Sequence, residues 1–303
     1  LSKRKITIGT DQEYFLRKKS TNSLISAIPH IKGGKHNPIV LPCGSNLQSD
    51  NVAVEFATMP ATTSEDFVNK IRKTFSETMK SLPEGTDLSV VPSAIFDSKE
   101  LLDPAACEFG CSPDYCAWDV AINDSPKVDD PNFRSCGGHI HVGGVNEDGD
   151  PLHKDVAFLS DPSGVGKLTM VRGMDVFHGI ISTIFDHGED SIARRELYGK
   201  AGSHRPTDYG IEYRALSNWW TKTPYSSMLI SSLTDDVIEV IAAGKLDGII
   251  EGLSEKTIRD TIDTGDYVEA KRIVEEVLME HMSEDSKFYY DECVKKLESS
   301  GDV

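Results

Sequence analysis

Cysteine is scarce in this chain, with six in 303 residues, and no two of them form a CxxC pair. That excludes a disulfide-stapled scaffold and a zinc ribbon, and it favours a reduced, cytoplasmic setting. Cys107, Cys111 and Cys116 come nearest to a thiol cluster, but packed or substrate-facing thiols suit their spacing better than zinc. Long apolar runs are missing too, and nothing approaches the roughly 20 residues of a membrane span. The opening LSKRKITIG lacks an initiator Met and runs straight into a strand-like pattern, so no signal peptide is expected within it. Positive charge is also in short supply: 32 Lys and Arg stand against 49 Asp and Glu, a net charge of -17. Duplex nucleic acid and anionic membranes need a basic footprint, so neither is expected as a direct partner. Small anions stay open, because a few convergent arginines can hold a phosphate inside an acidic protein. A phosphate loop is absent as well. DPSGVGKLT has Asp161 and Leu168 where G-x-x-x-x-G-K-[ST] needs Gly and Ser or Thr, so it reads as a turn.

The chain does have the composition of a globular protein, 38% hydrophobic and 27% charged. KITIGTDQEYFLR, NVAVEFATMPA, DLSVVPSAIF, GGHIHVGG and GIEYRALSNWW alternate with the period of strands. Residues 64–82 place Phe67, Ile71, Phe75 and Met79 four apart behind a Ser64 cap, which predicts an amphipathic helix. LTMVRGMDVFHGIISTIFDHG reads as a mostly apolar helix, and from about residue 224 the pattern is helical and acidic. Residues 103–135 form a long irregular segment, expected to cover a substrate cleft with Cys116–Trp118 facing it. The strand and helix order lacks regular βαβ alternation, so the expected class is α+β. The expected organisation is one catalytic domain over 1–303, with the core sheet and site in 1–222 and a helical extension in 223–303.

Four strand-like segments carry acids or histidines at alternate positions, which puts them on one face. Asp11 and Glu13 stand in GTDQE, Glu55 in AVEFA, His139 and His141 in GGHIHVG, and Glu212 with Arg214 in GIEYR. On one sheet these groups would converge, and like charges that close need cations among them. Carboxylates with an imidazole suit Mg²⁺ or Mn²⁺ better than zinc. Between the apolar helix and the last strand lies a positive cluster: Arg194, Arg195, Lys200, His204, Arg205 and Arg214. Guanidinium forks bind phosphate oxygens, so acids and arginines together point to a metal–nucleotide site.

GTDQE, NVAVEFATMP, GGHIHVGG and YGIEYRALSNWW, in that order, resemble the glutamine synthetase and glutamate–cysteine ligase superfamily of carboxylate–amine ligases. EFGCSPDYCAWD and RRELYGKAGSHR look like its phage-associated branch, the type 2 COOH–NH2 ligases, and the likeness runs from about residue 6 to 220. The resemblance implies a curved, mainly antiparallel sheet with helices on its convex face and the site on the concave one. It implies Asp11, Glu13, Glu55, His139 and Glu212 as metal ligands, with Glu212 holding the metal that bridges the ATP phosphates. It places His141 toward a substrate and Arg214, with Arg205, on the transferred phosphoryl group. Where some members have a second acid before the VEF strand, this chain has only Asp50 nearby.

The implied chemistry is ATP-dependent amide formation through an acyl phosphate, with ATP and Mg²⁺ or Mn²⁺ as cofactors. Small-molecule carboxylates and amines (an amino acid, a peptide or a modified nucleotide) would be the substrates. The setting would be the cytoplasm, that of the host if the chain is phage-encoded. Three other readings compete. A guanidino kinase on the same fold would leave a phosphorylated nitrogen and no amide. A non-catalytic binding protein would have no need of every metal acid, and a metal-dependent hydrolase none of the arginine cluster.

Overall fold

The computed structural model describes residues 5–107, 114–124 and 129–301. Its strands are β1 (Thr7–Lys18), β2 (Leu24–Ile25), β3 (Ile39–Val40), β4 (Asn46–Asp50), β5 (Ala53–Ala57), β6 (Thr86–Ser89) and β7 (Ser93–Ile95). Then come β8 (Tyr115–Cys116), β9 (Ala121–Ile122), β10 (Phe133–Ser135), β11 (Gly138–Gly143), β12 (Ser203–Thr207) and β13 (Gly210–Tyr213). The helices are α1 (Ser64–Ser81), α2 (Val165–Met174), α3 (Ile180–Phe185), α4 (Glu189–Leu197) and α5 (Pro224–Ala242). They continue with α6 (Leu246–Leu253), α7 (Glu255–Thr264), α8 (Tyr267–Glu276) and α9 (Glu284–Ser300).

One sheet runs in the order β3-β4-β5-β1-β11-β13-β12-β8-β9, and every pairing described in it is antiparallel. β2 and β6 pair with the C-terminal part of β1, and the sheet does not close. This is the α+β class expected from the irregular strand and helix order.

Alternation decides which face is buried. Along β1, Ile8, Tyr14 and Leu16 point into the main core with Val54, Phe56, Ile140, Val142, Ile211 and Tyr213 of the neighbouring strands. Helices cover that face. Phe67 of α1 stacks on Trp220 at 5.9 Å, and Phe75 meets Tyr14 edge-on at 5.7 Å. The same buried cluster takes in Leu229 and Leu233 of α5, Ile258 of α7, Ile273 of α8 and Cys293 of α9. Residues after 223 therefore share their apolar surface with the sheet. No helix among the described residues is long and apolar enough to cross a membrane.

Local differences from the sequence reading have local causes. The cap of α1 is Thr63 rather than Ser64, because the Thr63 side chain accepts from Asp66 N at 3.0 Å. DLSVVPSAIF splits into β6 and β7 around Pro92, since proline cannot donate to a ladder. β7 then pairs with β10 in a separate small sheet. The apolar helix is interrupted by a π-turn over Asp175–Gly179. The would-be phosphate loop is a turn leading into α2, and Lys167 Nζ donates to the Thr207 carbonyl at 2.6 Å.

Candidate active site

The other face of the sheet carries the acids, and strand register brings them together. Residues directly opposite one another across a pair share a face. Glu13 stands opposite Glu55, which stands opposite Gln48. Asp11 faces His139, and His141 faces Glu212, which faces Arg205. Beyond Glu13, a second small apolar cluster of Phe15, Ala53, Leu101, Ala106 and Cys136 closes the same face.

Within this row two acid groups separate. One ligand atom each from Asp11, His141 and Glu212 lies within 4.8 Å of the others, which makes this a candidate cation group. His141 Nε2 is 2.9 Å from Asp11 Oδ2, yet it makes no aligned hydrogen bond. Two carboxylates and an imidazole nitrogen left without a hydrogen bond fit a hard or borderline divalent ion. Burial lowers the basicity of His141, but the Asp11 carboxylate more than offsets it and the imidazole titrates above its usual value. Glu212 is held above the normal carboxylate range by burial, against the pull of His141 and Arg205.

The second group is Glu13 and Glu55 with Asp50 nearby. Gly137 N–H donates to Glu13 Oε2 at 2.5 Å, and Gln48 Nε2 donates to Glu55 Oε2 at 2.6 Å. Burial, reinforced by Asp50, still pushes Glu13 up to about 7. Burial and the charges of Asp11, Glu13 and Asp50 push Glu55 well above its ordinary value. β5 and β13 are three strand spacings apart, about 14 Å at the backbone. Oxygens on one Mg²⁺ lie within about 4 Å of one another. The five expected ligands therefore do not form one shell. Among the described residues Asp11 and Glu212 come close enough to His141 to hold one ion together, and Glu13 and Glu55 are not part of that group.

His139 is the buried neighbour of the trio. Its Nδ1 lies 3.3 Å from Arg214 Nη1 and 3.5 Å from Glu212 Oε1. Burial and the charges of Arg214 and Arg194 hold its pKa well below the ordinary value, so the imidazole is neutral. A Cβ on Gly137 would fall 2.2 Å from His139 Nε2, so the glycine makes room for this ring. His139, expected as a ligand, has its Nδ1 against Arg214 and a buried Nε2 that lacks a hydrogen bond. His141, expected to face a substrate, is the imidazole of the group with Asp11 and Glu212.

The members of the positive cluster have different surroundings, set by α4 for Arg194 and Arg195 and by strand parity for His204 and Arg205. Arg214 is buried, donates to Glu212 Oε1 and approaches Asp114 Oδ1 with Nε at 3.3 Å. It also lies over the Tyr198 ring, 4.9 Å from its centroid. Arg205 Nη1 is 3.7 Å from Glu212 Oε2 on the same face. The other expected phosphate contacts are placed differently. Arg194 is almost wholly buried and donates to the carbonyls of Cys136, Arg214, Ala215 and Leu216. It ties the chain after Arg214 to the chain before His139. Arg195 is buried against Asp186, bonding its carbonyl at 2.6 Å and its carboxylate at 3.2 Å. His204 pairs with Tyr213 in register, so it leaves β12 on the face opposite Arg205 and bonds the Gly202 carbonyl. Lys200 is exposed, with the Asp263 carboxylate near it. Neighbours in a strand point opposite ways, and a guanidinium can serve carbonyls as readily as phosphate.

The segment 103–135 also divides. Ala106 packs with Phe15 beside the acids, and Arg134 binds the Ala106 carbonyl with both Nε and Nη2, at 3.0 and 2.7 Å. Cys116 and Trp118 do not face the acids. Cys116 is buried against Ala201, and Trp118 Nε1 donates at 2.6 Å to Asp175 on the helix side. Cys111 lies outside the described residues. Asp114, Tyr198 and Tyr209 are site neighbours that the residue patterns did not single out. Tyr198 and Tyr209 stand inside the quoted RRELYGKAGSHR and YGIEYR motifs, which was the available signal.

Residues 163–246 match the family model described as Phage phiEco32-like COOH.NH2 ligase-type 2. This is the branch that the ordered motifs resemble. The matched stretch holds Arg205, Glu212 and Arg214, while the strands bearing Asp11, Glu55 and His141 lie before it. Among solved structures, the bifunctional glutathione synthetase from Pasteurella multocida matches with TM-score 0.41 and 12% identity, covering 98% of this chain and 49% of its own. The chain thus spans about half the length of that protein. A novel glutamine synthase homolog matches with TM-score 0.37 and 12% identity, covering 94% of this chain and 70% of its own. Apo GmaS matches with TM-score 0.41 and 11% identity, covering 98% and 70%. No curated protein matches.

Proposed function

We propose, taking the ligase match over residues 163–246 as the premise, that this chain is an ATP-dependent carboxylate–amine ligase acting through an acyl phosphate. The observation that carries the reading is Glu212, flanked by Arg205 and Arg214 on the face where it meets Asp11 and His141. Asp11, His141 and Glu212 would hold a divalent cation, Mg²⁺ or Mn²⁺. When bound, such an ion neutralises phosphate charge and polarises a phosphoryl oxygen. Arg205 and Arg214 would spread the charge of the phosphoryl group in transfer. Glu13, Glu55 and Asp50 lie further along the same face, on the side away from Arg205.

Two bond exchanges balance the reaction. A carboxylate oxygen takes the γ-phosphoryl group as its bond to the β-phosphate oxygen breaks, and ADP leaves. The amine nitrogen then bonds to the acyl carbon, the carbon–oxygen bond to phosphate breaks, and the nitrogen gives up a proton. The substrates are small carboxylates and amines, and residues 1–303 act as one catalytic unit.

The test is ADP release from Mg²⁺ and ATP against pools of carboxylates and amines, with products identified by mass. An amide plus inorganic phosphate, lost in Glu212→Gln, is the expected result. A phosphorylated nitrogen product would instead indicate a guanidino-kinase-like activity. No ATP-dependent product from any pool, with Mg–ATP failing to bind, would refute the reading.

A further inference from the structure

His141 Nδ1 lies 2.5 Å from the Tyr209 hydroxyl, on the opposite side of the ring from the Asp11 contact. We infer that Tyr209 is a positioning residue that holds the Nδ1–H tautomer of His141 and so leaves Nε2 free to take a divalent cation with Asp11 and Glu212. The inference rests on the cation reading of that trio given above, and it adds a residue outside the ligand set.

The turn between β12 and β13 is built to deliver this hydroxyl. Gly144 N–H donates to the Tyr209 carbonyl at 2.8 Å, which pins the turn to the end of β11. Gly210 sits so close to β11 that a Cβ there would fall 2.0 Å from the Val142 carbonyl oxygen. Gly143 makes room for Thr7 instead: a Cβ there would fall 2.3 Å from Thr7 Oγ1 but only in ordinary contact, 3.8 Å, with Tyr209 Cδ2. Gly210 thus lets the turn lie against β11, with the Tyr209 ring centroid 6.0 Å from that of His141.

Polarity follows from the atoms around the phenol. An imidazole that ligates through one nitrogen carries its proton on the other, and that proton needs an acceptor. The Tyr209 oxygen is the acceptor within reach of Nδ1. The phenol's own proton has an outlet in Thr207, which lies beside it and whose buried Oγ1 makes no aligned hydrogen bond. The reverse polarity, with Tyr209 donating to Nδ1, would put the ring proton on Nε2 and block the cation. The two polarities predict opposite effects of removing the hydroxyl.

The experiment is titration of the full chain with Mn²⁺, following free ion by electron paramagnetic resonance, for wild type, Tyr209→Phe and His141→Ala. Wild-type binding, lost in His141→Ala and weakened roughly tenfold in Tyr209→Phe, is the expected result. In nitrogen-15 long-range spectra of the metal-free protein, recorded at a pH where His141 is neutral, the ring should show Nδ1 protonated in wild type and a mixed tautomer in Tyr209→Phe. If His141→Ala loses binding while Tyr209→Phe binds equally or more tightly, the role of Tyr209 is overturned and the trio stands. If wild type binds no Mn²⁺, or His141→Ala binds as well as wild type, the cation reading of the trio fails and takes this inference with it.

Discussion

Replacing Asp175 by Asn isolates a buried charge that lies behind the site. Asp175 opens the π-turn and is wholly buried, its Oδ2 accepting from Trp118 at 2.6 Å and its Oδ1 from the Tyr213 hydroxyl at 2.7 Å. Burial pushes its carboxyl up to about 7 in spite of both bonds, against 3.8 for an ordinary aspartate. The folded chain then binds this proton more tightly than the unfolded one. Stability from the group is therefore complete below about pH 4 and is lost as the pH rises through about 7. The full difference is about 4 kcal/mol, of which about 2.5 kcal/mol falls between about pH 5 and about pH 8. Asn cannot ionise, so it escapes this loss. Its carbonyl can keep the Trp118 bond while the Tyr213 hydroxyl proton loses its acceptor, a cost of about 1–3 kcal/mol. Near pH 5 the two proteins should therefore be close in stability, and near pH 8 the Asn variant should be the more stable by about 2 kcal/mol. Urea unfolding at both pH values, with a chelator present, measures the change. A stability difference that stays constant between the two would refute the argument.

Other expectations follow from the same geometry. Arg214→Lys keeps the charge and loses the fork, so ADP release under saturating substrates should fall roughly a hundredfold while ATP affinity changes only a few-fold. Arg205→Ala should weaken ATP binding roughly tenfold in a calorimetric titration, and His204→Ala, on the other face, should leave it unchanged. Arg194→Met strips the donors from four carbonyls and should cost about 4 kcal/mol in thermal or urea unfolding, with an unchanged midpoint as the contrary result. Gly137→Ala drives a methyl group into His139 and should destabilise the fold by about 1–3 kcal/mol in urea unfolding.

The alternation of residues along the chain determined a good deal by itself. Period-two spacing puts Asp11 with Glu13, His139 with His141, and Glu212 with Arg214 on shared faces, whatever the strand order. The i+4 spacing of Phe67, Ile71, Phe75 and Met79 was enough to place α1, and the irregular order of elements was enough for the α+β class. Only the tertiary structure decided which of these groups meet. Register sets His141, not His139, across from Glu212, and it leaves Glu55 three strands away. Long-range packing turned Arg194 and Arg195 from apparent phosphate contacts into buried clamps on carbonyls and Asp186. A guanidinium has the same donors in either role, so local sequence does not distinguish them. The hydroxyl of Tyr209 reaches His141 across 68 positions of sequence, through a turn that Gly210 lets lie close against β11. Periodicity fixes the direction of a side chain relative to its own strand. What stands opposite is set by pairing between distant strands, and that pairing is a property of the whole core.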